Sequence, residues 1–211
     1  MVDKTNRIRL TALILFSLVA LFFGLFVGQH LKFKDKDMSN FSGVWLENPR
    51  DIAAISLQDT ANNLFNNESF TGHWTMLFFG FTSCPSLCPT TMAELGKMYR
   101  KLESLGVKNL PQVIMVSLDP QRDNPEKLGN YVRAFDRHFL GLTGDEQTIN
   151  KMAREMGIAS TKVDGSDEQS YNIEHTGTVI LINPNGKING FFTSPLNADA
   201  LAKDYKKVVG Q

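Results

Sequence analysis

The longest apolar run of the chain lies near its beginning, where residues 10–29 contain no charged side chain. As a helix, twenty residues reach about 30 Å, the thickness of a bilayer core. A cleaved signal peptide is the alternative, but the run is long for one and no small-residue cleavage site follows Val27. The pattern therefore predicts an uncleaved transmembrane anchor at 10–29, between an N-terminal cytoplasmic tail at 1–9 and a polar tether at 30–40.

After the tether, strand-like apolar runs alternate with segments of helical period. Three near-continuous apolar runs are typical of strands buried on both faces, and they lie at 74–81, 112–118 and 178–182. Apolar spacings of three and four predict helices, and these lie at 89–105, 125–139, 145–156 and 198–208. A hairpin turn of Asn, Pro and Gly follows the third run at 183–186, and a weaker pattern at 55–57 predicts an edge strand. This order predicts an α/β domain over 41–211, with a central mixed sheet flanked by helices.

Charge excludes one class of function and helps to orient the anchor. The chain has 22 basic and 22 acidic residues and no long basic run, so the electrostatic footprint of a nucleic-acid-binding protein is missing. Three basic residues precede the anchor and three follow it, which leaves the positive-inside count tied. The chain amine favours a cytoplasmic N-terminus, and we therefore expect the domain at 41–211 to lie outside the cytoplasm.

The chain has two cysteines, Cys84 and Cys88, which form a C-x-x-x-C pair directly after the first buried strand. Thiolates this close together can hold a thiophilic metal or cycle between dithiol and disulfide. A purely structural disulfide closing so short a loop would stabilise the fold little. Pro89 predicts that Cys88 is the N-cap of the next helix, where the helix dipole would lower the pKa of both thiols.

A histidine could complete a copper site, because monovalent copper accepts two or three soft ligands. His30 lies at the membrane edge, His73 at the far end of the first strand, and His138 at the end of a helix, where a solvated residue is expected. His175 immediately precedes the third buried strand. On spacing alone, such a loop histidine is more often polar surface than a ligand.

Several motifs resemble the Sco/SenC family of membrane-anchored copper proteins, which act in cytochrome c oxidase assembly and have a thioredoxin-like domain. They are FGFTSCPSLCP at 79–89, VSLDPQRD at 116–123, GLTG at 141–144, and EHT at 174–176 followed by INPNG at 182–186. The resemblance covers the chain from about residue 41 and includes the preceding anchor. It implies a thioredoxin-like fold, with the cysteines on the loop between a buried strand and its helix.

The resemblance also implies a ligand set for copper, namely Cys84, Cys88 and His175. Asp119 and Asp123 match a D-P-x-R-D segment of the family, and we expect them to shape the site or a partner surface. Without the resemblance, both aspartates would simply cap the loop that leads to Asn124.

Two positions depart from the common family pattern. Ser86 stands where an acidic residue is common, which makes the local surface less negative and could alter the choice of partner. Glu174 stands where Asp is frequent, and this change is conservative.

Two functions from different classes follow. The first is a copper metallochaperone, not an enzyme, that delivers copper to the binuclear copper A site of cytochrome c oxidase subunit II. Its cargo is monovalent copper, with divalent copper as the alternative, and its own partner is a copper donor or thiol reductant outside the cytoplasm. The second is a thiol–disulfide oxidoreductase, with Cys84 and Cys88 as the catalytic pair, that reduces the cysteines of that site or other exported thiols.

The expected location is the inner (plasma) membrane of a bacterium, with the domain in the periplasm, or the equivalent mitochondrial inner membrane. A peroxidase on the same fold is disfavoured because a second cysteine follows four residues after the first.

Overall fold

The computed structural model describes residue 9 and residues 13–23, 38–164 and 171–210. The chain divides into two units, residues 1–39 and residues 40–211. In the first unit, residues 13–23 are helical and their large apolar side chains are exposed. The other residues of the expected anchor, 10–12 and 24–29, lie outside the described part. Within that part, no helix combines the length and hydrophobicity that crossing a bilayer requires.

The second unit contains an α/β domain, whose elements are labelled here in chain order. The strands are β1 (Val44–Arg50), β2 (Ser56–Asp59), β3 (Leu64–Asn66), β4 (Thr75–Gly80), β5 (Gln112–Ser117), β6 (Leu140–Thr143), β7 (Ser160–Asp164), β8 (Tyr171–His175), β9 (Val179–Ile182) and β10 (Ile188–Phe192). The helices are α1 (Leu87–Ser104), α2 (Pro125–Arg133), α3 (Glu146–Glu155) and α4 (Ala198–Val209), with a short 3-10 helix at Asn67–Phe70.

Eight of these strands form one mixed sheet, in the order β1-β10-β9-β4-β5-β6-β2-β3. Strands β4, β5 and β6 run parallel, while β9 runs antiparallel to β4. All residues of β4 and β9 are buried, as their continuous apolar sequences predict. Helix α1 packs with α4, and α2 packs against β6. The predicted central mixed sheet flanked by helices is therefore confirmed.

The carboxyl ends of β4 and β5 bring two loops together. The cysteine loop follows β4 and the Asp119–Asp123 loop follows β5. The backbone N–H of Leu118 donates to the carbonyl of Gly80 at 2.7 Å, so the two loops are hydrogen-bonded where they leave the sheet. This edge of a parallel sheet is where open α/β folds usually place their binding sites.

Two local predictions are wrong. Helix α2 ends at Arg133, not near residue 139, because Arg100 binds the Phe135 carbonyl at 2.9 Å and Asp136 caps the backbone N–H of His138 at 3.0 Å. Phe139 is nevertheless buried, and it lies in the turn that leads into β6. The strand expected at 55–57 exists as β2, but it is not the edge strand, because β3 pairs with its outer side.

A hairpin that the sequence pattern does not predict carries His175. Strands β7 and β8 pair antiparallel and form a two-stranded sheet of their own, with Ser160 opposite His175. Most of their residues are exposed, so the apolar signal that identifies β4 and β5 is missing. The segment that sequence reasoning treats as a loop is therefore a strand up to His175.

Candidate metal centre

The cysteine loop joins the end of β4 to the start of α1. Helix α1 begins at Leu87 with Ser86 as its N-cap residue, so Cys88 lies inside the first turn and the prediction of Cys88 as N-cap is wrong. A proline fits this turn because the first backbone N–H groups of a helix have no intrahelical acceptor. Cys84 lies on the loop and is half-buried, whereas Cys88 is fully buried, and both are free thiols.

Three ligand atoms converge at this point. The sulfurs of Cys84 and Cys88 and a ring nitrogen of His175 all lie within 4.8 Å of one another. The Cys88 Sγ atom is 3.3 Å from the His175 Nε2 atom. Metal bonds to imidazole nitrogen and thiolate sulfur are about 2.0–2.3 Å long, so two ligands on opposite sides of an ion are roughly 4.5 Å apart. A single ion can therefore reach all three atoms with only small shifts.

The His175 ring is held in an orientation that leaves one nitrogen free. Its Nδ1 atom lies 3.2 Å from the Thr176 carbonyl, which can only accept, so Nδ1 is the protonated nitrogen of this hydrogen bond. The Nε2 lone pair then faces Cys88. The rings of Phe78 and Phe81, each with its centroid 5.8 Å from that of His175, enclose the imidazole. Burial lowers the pKa of His175 and favours the neutral imidazole that metals bind.

The two sulfurs have different surroundings. Cys84 Sγ accepts a hydrogen bond from the Cys88 backbone N–H at 3.3 Å, one of the unpaired donors at the positive end of α1. Burial, followed by the interaction with Cys84, raises the pKa of the Cys88 thiol. The predicted lowering of the pKa is therefore wrong for Cys88, because desolvation of a thiolate outweighs the helix dipole.

The remaining described histidines lie away from the cysteines and have other partners. His73 Nε2 lies 2.9 Å from Gln112 Oε1, at the opposite end of β4. His138 Nδ1 lies 3.0 Å from Asp136 Oδ1, and its ring packs against that of Tyr99 in a tilted arrangement. His30 lies outside the described residues.

Asp123 anchors the cysteine loop. Its fully buried carboxylate accepts hydrogen bonds from the Thr82 backbone N–H at 2.8 Å, from the Thr82 hydroxyl, and from the Ser117 hydroxyl at 2.8 Å. Lys127, on α2, contacts Asp123 Oδ1, the oxygen that also accepts from the Thr82 hydroxyl, at 3.3 Å. Thr82 is two residues before Cys84, so this network fixes the loop from which the first sulfur projects.

Asp119 anchors the strand that carries the histidine. One of its carboxylate oxygens accepts a hydrogen bond from Arg122 Nε, and the other accepts from the Tyr171 hydroxyl at 2.6 Å. Tyr171 begins β8 and His175 ends it. Burial and the hydrogen bond to Asp119 raise the pKa of Tyr171 to about 12, so the hydroxyl remains a donor at neutral pH. The alternative in which both aspartates only cap their own loop is wrong, because each binds a different neighbouring segment.

Sequence reasoning identified the three converging side chains and both aspartates, but not Thr82, Arg122 or Tyr171. One signal could have found Tyr171. It precedes His175 by four positions, and in a strand this spacing places two side chains on the same face. Ser86 and Glu174, the two departures from the family pattern, are exposed beside the site.

A thioredoxin-like domain with two thiols and an imidazole at its strand ends belongs to the class of proteins that handle soft metals or disulfides. The family model for SCO1/SenC matches residues 47–210. The chain belongs to this family, and the resemblance noted from the motifs is confirmed.

Proteins of two bacteria and a plant are among those similar to this chain. An SCO2-like protein of Rickettsia typhi is 31% identical over 187 residues, which cover 88% of this chain and 91% of that protein. The copper-bound structure of Arabidopsis thaliana ScoI has a TM-score of 0.70 at 25% identity, covering 75% of this chain and 98% of that one. The copper-bound structure of Bradyrhizobium japonicum ScoI has a TM-score of 0.67 at 29% identity, covering 74% and 98%. These likenesses confirm the thioredoxin-like fold.

Proposed function

We propose that this protein is a copper metallochaperone that delivers copper to the copper A site of cytochrome c oxidase subunit II. The observation that carries the proposal is the convergence of the Cys84 and Cys88 sulfurs and a His175 nitrogen within 4.8 Å. Copper is the cargo, held by the two thiolates and the neutral imidazole. Because Cys84 is half-buried, an acceptor thiolate can approach the ion from that side and replace the donor ligands one at a time.

The donor set favours monovalent copper over other metals. A structural zinc site takes four protein ligands, whereas monovalent copper accepts two thiolates and one imidazole. The cluster contains three candidate ligands within the described residues. The ScoI proteins of A. thaliana and B. japonicum, solved with copper bound, support the choice of metal. Divalent copper is the second state that we propose the site to accept.

The proposed location follows from the apolar segment that precedes the domain. Residues 10–29 form the anchor, 1–9 the cytoplasmic tail and 30–40 the tether, so that the domain at 41–211 faces the periplasm or the equivalent mitochondrial compartment. There the dithiol receives copper from a donor, or electrons from a thiol reductant. Ser86 and Glu174 are exposed beside the cysteine loop and contribute to the surface that partners meet.

A thiol–disulfide oxidoreductase is the second candidate, favoured by the unequal exposure of the two cysteines. A half-buried thiol attacks a substrate disulfide, and a buried neighbour then resolves the mixed disulfide. Cys84 and Cys88 have these two environments. In this function His175 would be a neighbour of the pair with no required role in electron transfer.

Copper binding by the His175→Ala variant separates the two candidates. The reduced full-length chain in detergent should bind one monovalent copper ion tightly in a competition assay with a copper(I) chelator. His175→Ala should bind it about 10–100-fold more weakly, since loss of a ligand costs at least as much as loss of its outer-shell partner. The same variant should still form the Cys84–Cys88 disulfide.

Single serine variants provide the second test. Cys84→Ser and Cys88→Ser should each abolish tight copper binding, because a hydroxyl is a poor ligand for a soft ion. Full affinity in either variant would show that the dithiolate site is wrong. Wild-type protein that binds no copper yet exchanges disulfides readily would favour the oxidoreductase.

A further inference from the structure

The position of His175 depends on a hairpin with few attachments to the main sheet. Strands β7 and β8 pair with each other, and no ladder hydrogen bond joins them to the eight-stranded sheet in the described residues. At its carboxyl end, β8 continues through residues 176–178 into β9. At its amino end, residues 165–170 are outside the described part. Side-chain contacts must therefore decide which face of β8 turns toward the cysteines.

Tyr171 makes the main polar contacts at the amino end of β8. Its hydroxyl donates to Asp119 Oδ1 at 2.6 Å, and its backbone carbonyl accepts from Arg122 Nη1 at 3.0 Å. The Arg122 guanidinium also lies over the Tyr171 ring, 3.7 Å from its centroid. Arg122 Nε in turn binds Asp119. Both the side chain and the backbone of Tyr171 are therefore fixed by one charged pair on the loop after β5.

The contacts among Asp119, Arg122 and Tyr171 restrict the orientation of the His175 ring in two ways. Tyr171, Ile173 and His175 are two positions apart, so they share one face of β8, and fixing the first orients the last. The Arg122 guanidinium also lies 5.9 Å from the centroid of Phe81, whose ring packs against His175. Asp119 is 3% exposed, so its bonds are shielded from water and are stronger than surface contacts.

We propose that Asp119, Arg122 and Tyr171 form a positioning cluster that sets the His175 imidazole against the cysteine sulfurs. This inference rests on the proposed function and adds to it the residues that set ligand geometry. The loop of residues 119–123 thereby serves both halves of the site, since Asp123 holds the cysteine loop and Asp119 holds the histidine strand. Residues 119–123 thereby set how far the His175 imidazole lies from the sulfurs of Cys84 and Cys88.

Tyr171→Phe is the sharpest test, because it removes one oxygen atom and keeps the ring over Arg122. We expect a copper(I) affinity about tenfold weaker than wild type, the lower end of the loss expected when an outer-shell partner of a metal ligand is removed. The equilibrium of Cys84–Cys88 disulfide formation should stay within about twofold, because neither cysteine is attached to this cluster. In a copper(II)-loaded sample, the thiolate charge-transfer spectrum should change in Tyr171→Phe. Arg122→Lys should reproduce these effects, since lysine lacks the fork that binds Asp119 and the Tyr171 carbonyl together.

Tyr205→Phe is the matched control. The Tyr205 hydroxyl also makes a strong hydrogen bond, to the Asn109 carbonyl at 2.7 Å, but it lies on α4 away from the metal centre. We expect its loss to lower thermal stability comparably and to change copper affinity and the copper(II) spectrum by less than about twofold. Equal losses of affinity in the two tyrosine variants would overturn the inference, because both would then report only on stability.

A double-mutant cycle shows whether Tyr171 acts through the histidine. When Tyr171→Phe is added to His175→Ala, affinity should change less than about twofold further. A full tenfold loss in that background would overturn the inference, as would wild-type affinity in Tyr171→Phe alone. A wild-type chain that binds no copper would instead refute the proposed function itself, so the two failures are distinguishable.

Discussion

The anchoring role of Asp123 leads to a prediction with a measurable magnitude. Replacing this carboxylate with alanine removes the acceptor of three donors, namely the part-buried Thr82 N–H and hydroxyl and the buried Ser117 hydroxyl. Lys127 loses a partner as well, but its side chain is 44% exposed and can be solvated. The contact with Lys127 therefore contributes little.

The loss in free energy of unfolding depends on whether each donor can find another acceptor once the carboxylate is removed. Hydrogen bonds to a charged group contribute about 1.5–3 kcal/mol each. The two hydroxyls can rotate toward other acceptors, whereas the Thr82 N–H is fixed by the backbone and stays unpaired at a cost of about 1–3 kcal/mol. We expect Asp123→Ala to lower the free energy of unfolding by about 3–5 kcal/mol, which combines the unpaired Thr82 N–H with the lost hydrogen bonds from the two hydroxyls to a charged group. For a domain of this size, the midpoint of thermal unfolding should fall on the order of 10 °C.

Thermal unfolding of the reduced full-length chain in detergent measures this loss, and two variants calibrate it. Asp123→Asn keeps one acceptor oxygen and should lose about half as much. Asp145→Ala removes an exposed carboxylate that caps α3 through the Thr148 N–H at 3.0 Å, and should cost clearly less than Asp123→Ala. If Asp123→Ala costs no more than Asp145→Ala, the cysteine loop is not held by this network and the reasoning is wrong. Copper affinity of Asp123→Ala should also fall, because the loop that bears Cys84 loses its anchor.

Three further predictions concern the site itself. At Gly80, an added Cβ would lie 2.7 Å from the Phe78 ring and 2.9 Å from Cys88 Sγ, so Gly80→Ala should weaken copper binding. Gly129→Ala, remote from the cysteines, should leave it unchanged, and equal affinities of the two variants in a competition assay would contradict this. Because burial raises the pKa of the Cys88 thiol, copper(I) must displace its proton. Affinity should therefore rise at least about tenfold per pH unit between about pH 6 and 8, and a flat profile would refute this. Burial lowers the folded-state pKa of His175 below its usual 6.5, so the unfolded chain takes up the proton first and stability should fall as pH drops below about 6.5. Chemical denaturation should show a flatter pH profile in His175→Ala, and an unchanged slope would contradict the buried neutral imidazole.

Local sequence was sufficient for the parts of the fold whose pattern is strong. Strands β4, β5 and β9 are continuous apolar runs, which can be satisfied only by burial on both faces, and the turn at 183–186 is specified by its Pro and Gly residues. The same pattern located the cysteine pair after β4. Helix α2 shows the limit of such reasoning. Its apolar period continues to residue 139, but the helix ends earlier. Arg100, which binds the Phe135 carbonyl, comes from α1, and Asp136 caps the backbone N–H of His138 within the segment itself.

The candidate site, like the fold, could be predicted from the sequence only in part. Spacing alone was enough to select Cys84 and Cys88, because two cysteines this close together after a buried strand suit few roles besides metal binding and redox exchange. His175 was selected only through the family motifs, since a loop histidine is more often polar surface than a ligand. The pKa of Cys88 could not be predicted, since it depends on burial, and burial is a property of the packed domain. The partners of the two aspartates could not be predicted either. Tyr171 lies 52 residues from Asp119 along the chain, and Thr82 lies 41 residues from Asp123. A sequence determines which chemical groups are present and which segments are apolar, whereas the distances and the solvent around those groups exist only once the sheet and the hairpin have packed together.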